Sequence, residues 1–352
     1  MKSDFFSNVL EMWYKEYGRV LPWRLTKDPY AVWISEIILQ QTRVAQGMEY
    51  YKRFMERFPI VEELACAPQE EVLRYWQGLG YYSRARNLHV ASQQILGQGG
   101  FPSTYAGIRA LKGVGDYTAA AISSISFGLP HAVVDGNVYR VLSRVFGMDV
   151  PIDSTQGKKQ FAQLAQELLD VGNPGLYNQA IMDFGAVQCV PKSPDCEVCP
   201  LQEKCVAWAS QRVEELPVKN HKTKVTDRYF QYFLIHVGDE FLLHQRTGGD
   251  IWQGLYELPL HETESQESCA LHATGWADLA VGVLKPVCQN VKHVLSHRIL
   301  HADLYQITLV SWPEVLPDGY FRVKADELER YAIPRLVEIL LKDFLKKCPE
   351  NC

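Results

Sequence analysis

Four of the nine cysteines fall within 17 residues, and this cluster constrains the fold more than any other feature of the chain. Four thiolates in so short a loop can surround one tetrahedral zinc ion or one four-iron cluster. An odd cysteine total with one tight cluster argues against a disulfide framework. The spacing alone leaves zinc and iron–sulfur open, but the single Cys-x2-Cys pair mildly favours iron–sulfur. The clustered residues are Cys189, Cys196, Cys199 and Cys205.

The length of the chain and a change in its pattern of apolar residues predict two domains. At about 150 residues per domain, 352 residues suggest about two. Residues 1–210 have helical spacing interrupted by Gly and Pro, and residues 211–227 form a polar, basic linker. Residues 228–352 change to strand patterns with a closing helix at 331–346. Helices are predicted at 4–17, 30–46, 61–67, 70–76, 85–96, 118–126, 138–146 and 159–170.

The predicted fold class is therefore multi-domain, with an all-α unit followed by a smaller α+β unit. In the second unit, residues 229–237 and 240–245 flank a Gly238-Asp239 turn, which is a hairpin signal. Further strand-like stretches lie between residues 291 and 310. With 47% apolar and 22% charged residues, the composition excludes disorder, collagen and coiled coil for most of the chain.

The overall charge argues against nucleic acid as a partner. The formal net charge is -5 and the pI is about 6.1, whereas domains that bind nucleic acid usually have a pI above 9. The charge is uneven, however, because residues 228–352 carry 12 basic and 17 acidic side chains, so the helical part is nearly neutral. Residues 1–17 do not have the pattern of a signal peptide, and no apolar run approaches membrane-spanning length. We expect a soluble, cytoplasmic protein.

Two glycine turns are candidate contacts for DNA backbone or bases. Residues 111–115 read Leu-Lys-Gly-Val-Gly between two helical stretches, and uncovered N–H groups there would bind a phosphate. A plain helix–helix turn explains them equally well. Residues 78–82 read Gly-Leu-Gly-Tyr-Tyr and precede Arg84 and Arg86. Base stacking and phosphate contact, or an aromatic core turn with solvated arginines, are equal alternatives.

Two carboxylates occupy unusual positions. Glu36 lies in the middle of a largely apolar helix, where burial would raise its pKa and let it hold a proton to donate. The alternative is a structural Glu paired with a nearby Arg. Asp135 precedes a predicted helix, where it is a natural N-cap. An ionised Asp at that point is also well placed to stabilise a nearby cation.

Together these motifs resemble the MutY family of adenine DNA glycosylases, within the helix–hairpin–helix DNA glycosylases. The resemblance covers the whole chain, with the motifs in the family's order. One departure is Lys112, where the hairpin usually has Pro. Besides the cysteine loop, the matching motifs are Pro-Trp-Arg at 22–24, Ser-Glu-Ile-Ile-Leu-Gln-Gln-Thr at 35–42, Gly-Leu-Gly-Tyr-Tyr at 78–82, Leu-Lys-Gly-Val-Gly at 111–115 and Val-Asp-Gly-Asn-Val at 134–138.

The resemblance implies base excision repair. It implies hydrolysis of the N-glycosidic bond of adenine mispaired with 8-oxoguanine or guanine, after the adenine is flipped out of the duplex. Glu36 would be the general acid, and Asp135 would stabilise the oxocarbenium-like sugar. Tyr117 stands where strand-cleaving relatives have a Schiff-base lysine, so the implied enzyme is monofunctional, with weak or no lyase activity. Tyr117 is expected to hydrogen-bond Asp135 and orient it.

Further positions match the family's DNA-binding residues. Arg24 and Asp183 match positions lining the adenine pocket, and Gln41 and Tyr81 match residues that fill the stack beside the lesion. Gly113 and Gly115 match the hairpin that contacts the backbone. The cysteine loop resembles the family's [4Fe-4S] site. The implied partner is duplex DNA carrying the mismatch, bound by a monomer without any membrane association.

Residues 228–352 resemble the family's C-terminal, Nudix-like domain, most clearly at Trp-Gln-Gly-Leu-Tyr-Glu-Leu-Pro, residues 252–259. The Arg-Glu-x-x-Glu-Glu spacing of Nudix hydrolases does not follow, so the domain is expected to recognise 8-oxoguanine without hydrolysing nucleotides. Ser296 and His297 match the recognition loop, with Leu295 in place of its Phe. The rival functions are a lyase acting on oxidised pyrimidines, a silent DNA-binding protein and a Nudix hydrolase. Tyr117 argues against the lyase, and the two carboxylates argue against the silent DNA-binding protein. The missing Nudix spacing argues against the Nudix hydrolase.

Overall fold

The computed structural model describes residues 3–220, 225–266 and 284–346. These residues form two compact units. The first comprises Met1–Cys66 and Asn87–Lys222, and the second comprises Ala67–Arg86 and Thr223–Cys352. The segment Ala67–Arg86, which the prediction placed in the helical domain, thus packs within the second unit. The predicted linker lies partly outside the described residues.

The first unit is helical, as the fold-class prediction requires. A π-helical turn at Phe184–Gln188 and short 3-10 turns at Pro22–Arg24 and Gln202–Lys204 complete it. Two further helices, α5 (Gln69–Trp76) and the start of α6 (Ser83–Gly97), belong to the segment of the second unit. The other helices are α1 (Ser3–Tyr17), α2 (Pro29–Leu39), α3 (Val44–Arg57), α4 (Val61–Cys66), α7 (Tyr105–Arg109), α8 (Asp116–Phe127), α9 (Gly136–Phe146), α10 (Thr155–Leu168), α11 (Pro174–Asp183) and α12 (Val206–Ala209).

Helices α2 and α8 form the centre of the first unit. Both are buried around most of their circumference, and they pack against each other. Helix α2 begins with Pro29 at its first turn, capped by the Asp28 carboxylate, which accepts from the N–H groups of Tyr30 and Ala31. Helix α8 ends at Gly128, which has a left-handed conformation (φ 66°). Side chains on these two helices therefore have fixed positions.

One predicted helix differs from the structure, and helix α11 was not predicted. The helix predicted at 30–46 ends at Leu39, and a new helix begins at Val44. Gln41, with a φ of 59°, occupies the turn between them, and apolar periodicity does not reveal such a backbone break. The sequence predicts no helix over Pro174–Asp183, because Gly and Pro residues at 172–175 are typical of a break between helices. Pro174 instead occupies the first helical position, where its missing N–H costs nothing.

The second unit is built on a mixed sheet. Its strand order is β3-β2-β1-β6-β5, while β4 also pairs with β1 and β7 with β2. Strands β1 and β6 are parallel, and the other pairs are antiparallel. The predicted hairpin at Gly238 is confirmed, since Val237 pairs with Glu240. The strands are β1 (Thr226–Val237), β2 (Glu240–Gln245), β3 (Tyr256–Glu257), β4 (Leu260–Thr263), β5 (Leu284–Val294), β6 (Arg298–Thr308) and β7 (Tyr320–Lys324).

Strand β1 is buried on both faces. Phe230, Tyr232 and Leu234 join a core that includes the closing helix α13 (Arg335–Leu345). Phe233 and Ile235 point the other way, into a smaller core with strands β2 and β6. The closing helix begins four residues later than predicted, after Pro334. Within the described ranges, no helix is long and apolar enough to cross a membrane.

Candidate active site and four-cysteine loop

A cavity of about 740 Å³ in the first unit brings together the residues predicted to act on the substrate. Helix α2 contributes Glu36, and helix α8 contributes Tyr117. Asp135 lies at the start of α9, and Arg24 and Gln41 flank α2. Residues that are up to 111 positions apart in the chain thus line one space.

Glu36 is buried in the wall of this cavity. Burial raises the pKa of its carboxyl to about 7, and the negative charge of Asp135 adds to this rise. A hydrogen bond from Tyr117 and the positive charge of Arg24 act in the opposite direction. At neutral pH, Glu36 is therefore divided between its protonated and ionised forms, which suits a proton donor.

Asp135 caps helix α9. Its Oδ1 accepts hydrogen bonds from the N–H groups of Asn137 (2.9 Å) and Val138 (2.8 Å), and its Oδ2 accepts one from Asn137 Nδ2 (2.8 Å). Burial raises the pKa of Asp135, and these three donors oppose the rise because they stabilise the ionised form. The N-cap of α9 and a carboxyl group that lines the cavity are thus the same side chain.

Tyr117 lies against Glu36. Its hydroxyl hydrogen-bonds the Glu36 carboxyl and lies 3.2 Å from Met182 Sδ. Burial raises the pKa of this phenol well above its usual value, so it is neutral. The structure therefore pairs Tyr117 with Glu36, whereas the sequence predicted a hydrogen bond to Asp135.

Asp183 fixes two arginines at the cavity. It is fully buried and accepts from Arg24 Nη1 (2.6 Å), Arg24 Nη2 (2.8 Å) and Arg19 Nε (2.8 Å). Burial favours the neutral acid, but these arginine hydrogen bonds dominate and lower the pKa of Asp183. Arg24 lines the cavity, whereas Asp183, predicted to line it, lies behind Arg24. Arg19 also lines the cavity and went unnoticed in the sequence, because no local pattern marks it.

Gln41 and Tyr81, the two predicted stacking residues, share an unusual backbone. Both have positive φ angles, 59° and 47°, which are uncommon for residues other than glycine and often mark functional sites. Both side chains are exposed. Gln41 lies at the rim of the cavity, and Tyr81 belongs to the second unit, where its hydroxyl hydrogen-bonds Ser296.

The glycine hairpin at 111–115 is well defined. The N–H of Val114 donates to the carbonyl of Leu111 at 3.1 Å, and Gly113 has a φ of 77°. Gly115 is the N-cap of α8, so the turn leads directly into the helix that carries Tyr117. Lys112 stands where the family's hairpin usually has proline. Its backbone N–H donates to Gln94 Oε1 at 2.8 Å, a hydrogen bond that proline could not form because it lacks the N–H.

The arginines after the second glycine turn are engaged by protein groups. The Arg84 guanidinium lies over the rings of Trp76 (5.2 Å) and Tyr81 (5.7 Å) and donates to the carbonyl of Gly80. Arg86 donates to the carbonyl of Gln253 at 2.6 Å. Burial lowers the pKa of Arg84 to about 10. The arginines are therefore not the solvated side chains of the second interpretation, and the contacts do not decide between the two.

The four clustered cysteines line one small cavity together with Arg144. The Nη1 of Arg144 donates to Cys189 Sγ at 3.4 Å, and Cys205 Sγ donates to the Arg144 carbonyl at 3.4 Å. Among the described residues, no three His, Cys, Asp or Glu side chains are grouped to hold a single metal ion. Four thiols that line one cavity are consistent with the loop of a four-cysteine metal site.

A chain of hydrogen bonds links Asp135 to this cysteine loop. Asn137 Nδ2 donates to Asp135, and Asn137 Oδ1 accepts from Arg140 Nη2 at 2.8 Å. Arg140 Nε in turn donates to the carbonyl of Cys189 at 2.7 Å. The backbone at residue 185 lies close to Asn137, which only glycine permits. A Cβ on Gly185 would clash with Asn137, since it would lie 2.7 Å from Asn137 Cβ. The conformation of the loop and the position of the carboxylate are therefore connected.

In the second unit, the predicted recognition loop is a tight turn between β5 and β6. The N–H of Leu295 donates to the Arg298 carbonyl at 2.8 Å, which leaves Ser296 and His297 exposed at the tip. Leu295 packs against the larger core of the sheet. Where a Nudix hydrolase would continue into its metal-binding helix, residues Leu260–Thr263 form strand β4. Residues 267–283 lie outside the described residues.

Both units match known families. Residues 34–170 match the HhH-GPD superfamily of base excision DNA repair proteins, and residues 231–343 match the NUDIX domain. The solved structure of a thermostable thymine-DNA glycosylase is 29% identical with a TM-score of 0.55. It covers 59% of this chain and 97% of its own. These matches confirm the predicted fold class.

Curated relatives extend the match to the whole chain. The adenine DNA glycosylase of Buchnera aphidicola subsp. Acyrthosiphon pisum is 31% identical over 354 residues, which is 98% of this chain and 99% of that protein. The human adenine DNA glycosylase is 44% identical over 60% of this chain and 40% of its own length. Together with the helix–hairpin–helix and NUDIX domains, this coverage shows that the chain belongs to the MutY family of adenine DNA glycosylases.

Proposed function

We propose that this enzyme excises adenine mispaired with 8-oxoguanine, or with guanine, and that it has little or no strand-cleaving lyase activity. The observation that carries the proposal is the pair of carboxylates in one cavity. Glu36 has a pKa raised to about 7, while Asp135 accepts three hydrogen bonds that oppose the rise in pKa caused by its burial. Two carboxyl groups with opposed protonation are what acid-assisted cleavage of a glycosidic bond requires.

The reaction proceeds in two steps once adenine has been flipped into the cavity. Protonated Glu36 donates its proton to a ring nitrogen of adenine, and the electrons of the N-glycosidic bond leave with the base. The carboxylate of Asp135 stabilises the positive charge that develops at C1′ of the sugar. Water then adds to C1′, and its proton returns to Glu36. Tyr117 supplies a neutral phenol beside Glu36 and has no amine with which to form a Schiff base.

The remaining residues bind the DNA. Arg24, held by Asp183, presents fixed donors to the base in the cavity. Gln41 and Tyr81 occupy the gap that the flipped base leaves in the stack. Gly113 and Gly115 bring backbone N–H groups to a phosphate, which adds no net charge and is therefore invisible in the pI. Ser296 and His297 hydrogen-bond the 8-oxoguanine, so residues 228–352 act as a lesion-reading domain joined to residues 1–210 by the linker 211–227.

The four cysteines would hold a [4Fe-4S] cluster. When bound, such a cluster fixes the loop that follows the π-helical turn at Phe184–Gln188, and no step of the excision passes through it. Burial raises the pKa of the Cys196, Cys199 and Cys205 thiols, to about 12 for Cys199, so a bound cluster would replace these protonated thiols with thiolates. We propose a monomer that acts on duplex DNA in the cytoplasm of a bacterial-type cell.

One experiment separates this function from its rivals. The protein is incubated with duplexes that contain adenine opposite 8-oxoguanine, adenine opposite guanine, or thymine glycol, and the products are analysed before and after alkali. We expect adenine release from the first two only, with strand breaks only after alkali. Strand breaks at thymine glycol without alkali would refute the proposal. Asp135→Asn is expected to bind the mismatch and to lose excision.

A further inference from the structure

A charged cluster in the second unit is centred on Asp250, in the loop between β2 and β3. Its Oδ1 accepts from Arg298 Nη1 at 2.8 Å. Its Oδ2 lies 2.7 Å from Arg228 Nη1 and 3.2 Å from Arg246 Nη2. One carboxylate thus joins arginines from the start of β1, the end of β2 and the start of β6, which are far apart in the chain.

Two of these arginines are themselves held by acids. Arg246 donates to the buried Glu257 at 2.6 Å, and Arg228 forms a two-pronged pair with Glu262, with both distances 2.5 Å. Bidentate arginine–carboxylate pairs of this kind have a defined geometry. Asp250 is therefore bound to two arginines that other acids already hold in place.

Asp250 is ionised at neutral pH. Partial burial alone would raise the pKa of its carboxyl, but hydrogen bonds from Arg298, the Ile251 N–H and Arg228 lower the pKa to about 2. The carboxylate accordingly keeps its charge and its three arginine partners at neutral pH.

Arg298 closes the turn that presents Ser296 and His297. The carbonyl of Arg298 accepts from the N–H of Leu295, and the carbonyl of His297 accepts from the N–H of Thr226 at 3.2 Å. The Leu295 side of the turn is attached to the apolar core. The Arg298 side is attached through its guanidinium to Asp250. The two exposed side chains lie between these attachments.

We propose that Asp250 is a positioning residue for lesion specificity, which orients the Ser296–His297 tip against the base opposite adenine by holding Arg298. The inference rests on the proposed function, in which this tip recognises 8-oxoguanine. Hydrogen bonds to a damaged base discriminate only when donors and acceptors are held to within a fraction of an ångström. Asp250 supplies this restraint without touching the DNA.

The test compares single-turnover excision rates for adenine opposite 8-oxoguanine and opposite guanine. Asp250→Asn and Arg298→Met should each reduce the preference for 8-oxoguanine about tenfold, the factor that corresponds to one charge-assisted hydrogen bond. The loss should come from the 8-oxoguanine duplex, with the rate opposite guanine nearly unchanged. Hydrogen exchange at residues 295–298 should increase in the same variants.

Glu262→Gln is the matched control, because it removes a carboxylate from the same cluster and leaves the Arg298–Asp250 pair intact. It should keep the wild-type preference. Asp250→Asn should have no additional effect on preference when Ser296 and His297 are both replaced by Ala, since the two changes act through one element. Additive effects, or equal losses on both duplexes, would show that Asp250 acts elsewhere.

The outcomes also separate this inference from the function on which it rests. If the Ser296→Ala, His297→Ala variant keeps the preference for 8-oxoguanine, the tip does not read the lesion, and both the proposed role of the tip and that of Asp250 fail, while adenine excision stands. If that variant loses the preference while Asp250→Asn keeps it, the tip reads the lesion and only the role of Asp250 is refuted.

Discussion

Arg140 Nε donates a hydrogen bond of 2.7 Å to the carbonyl oxygen of Cys189. The same guanidinium holds the side chain of Asn137, which donates to Asp135. The first cysteine of the loop and the carboxylate in the cavity therefore belong to one hydrogen-bonded chain. We therefore expect a change that disorders the loop to displace the Asp135 carboxylate, although no loop residue is proposed to take part in the chemistry.

This connection gives a prediction for the cysteines. Cys199→Ser removes one ligand of the proposed cluster, and Cys66→Ser changes an exposed thiol on α4, outside the loop. The wild type and Cys66→Ser should contain about four iron atoms and four sulfides per chain. Cys199→Ser should lose both and excise adenine more slowly, as measured by iron and sulfide analysis and by single-turnover rates. Stoichiometric zinc in the wild type would contradict the iron–sulfur assignment.

The pKa of Glu36 predicts how excision depends on pH. Because the protonated form donates the proton, the rate should be constant below pH 7 as long as Asp135 stays ionised, and should fall about tenfold per unit above pH 7. The Glu36→Gln variant should excise adenine slowly at every pH, and its rate should not show the fall above pH 7. A wild-type rate that keeps rising from pH 7 to pH 9 would exclude Glu36 as the acid.

Glu36 should also affect stability. Its folded-state pKa of about 7 lies above the usual 4.5, so its protonated form stabilises the fold fully below pH 4.5. This contribution is lost between pH 4.5 and 7. Glu36→Gln should therefore gain up to about 3 kcal/mol in unfolding free energy relative to the wild type over that range, with no further gain above pH 7. Denaturant titrations at pH 4.5, 6 and 8 measure the difference.

Replacing Tyr117 should move the pH profile in a defined direction. The hydrogen bond from its hydroxyl lowers the pKa of Glu36. Tyr117→Phe should therefore raise that pKa and shift the falling limb of the excision rate to higher pH, by about one unit or less. Met182→Leu is the control, because it removes the other contact of the hydroxyl and should leave the midpoint unchanged. A shift to lower pH in Tyr117→Phe would refute the pairing.

Asn178 should hold the segment that leads to Asp135. Its side chain is fully buried, accepts from the N–H of Val133 at 3.1 Å and donates to the carbonyl of His131 at 2.8 Å. Asn178→Ala leaves these buried groups unpaired, which should reduce the unfolding free energy by about 1–3 kcal/mol and slow excision. Gln166→Ala, which frees exposed groups of the same segment, should cost less than about 0.5 kcal/mol.

The residues that could be predicted from sequence differ in kind from those that could not. Glu36 was recognisable because a charged side chain in an apolar helix is a local anomaly, and the cysteines because their spacing is local too. Arg19 and Asn178 carry no such signal, because their partners lie 164 and 45 positions away and only the fold brings them together. The break at Gln41 escaped for another reason, since apolar periodicity continues across a backbone turn.

The hairpin glycines should separate folding from DNA contact. Gly113 has a φ of 77°, and a Cβ there would lie 2.7 Å from Asn87 Cβ, whereas Gly115 has a φ of −91° and open space at the Cβ position. Gly113→Ala should therefore lower the unfolding free energy by about 1–3 kcal/mol, while Gly115→Ala should leave it nearly unchanged. Both should weaken binding to a mismatched duplex, because an added methyl group keeps a phosphate from the backbone N–H groups. Denaturant titration and fluorescence anisotropy measure the two effects, and full duplex affinity in Gly115→Ala would show that this hairpin does not contact the phosphate.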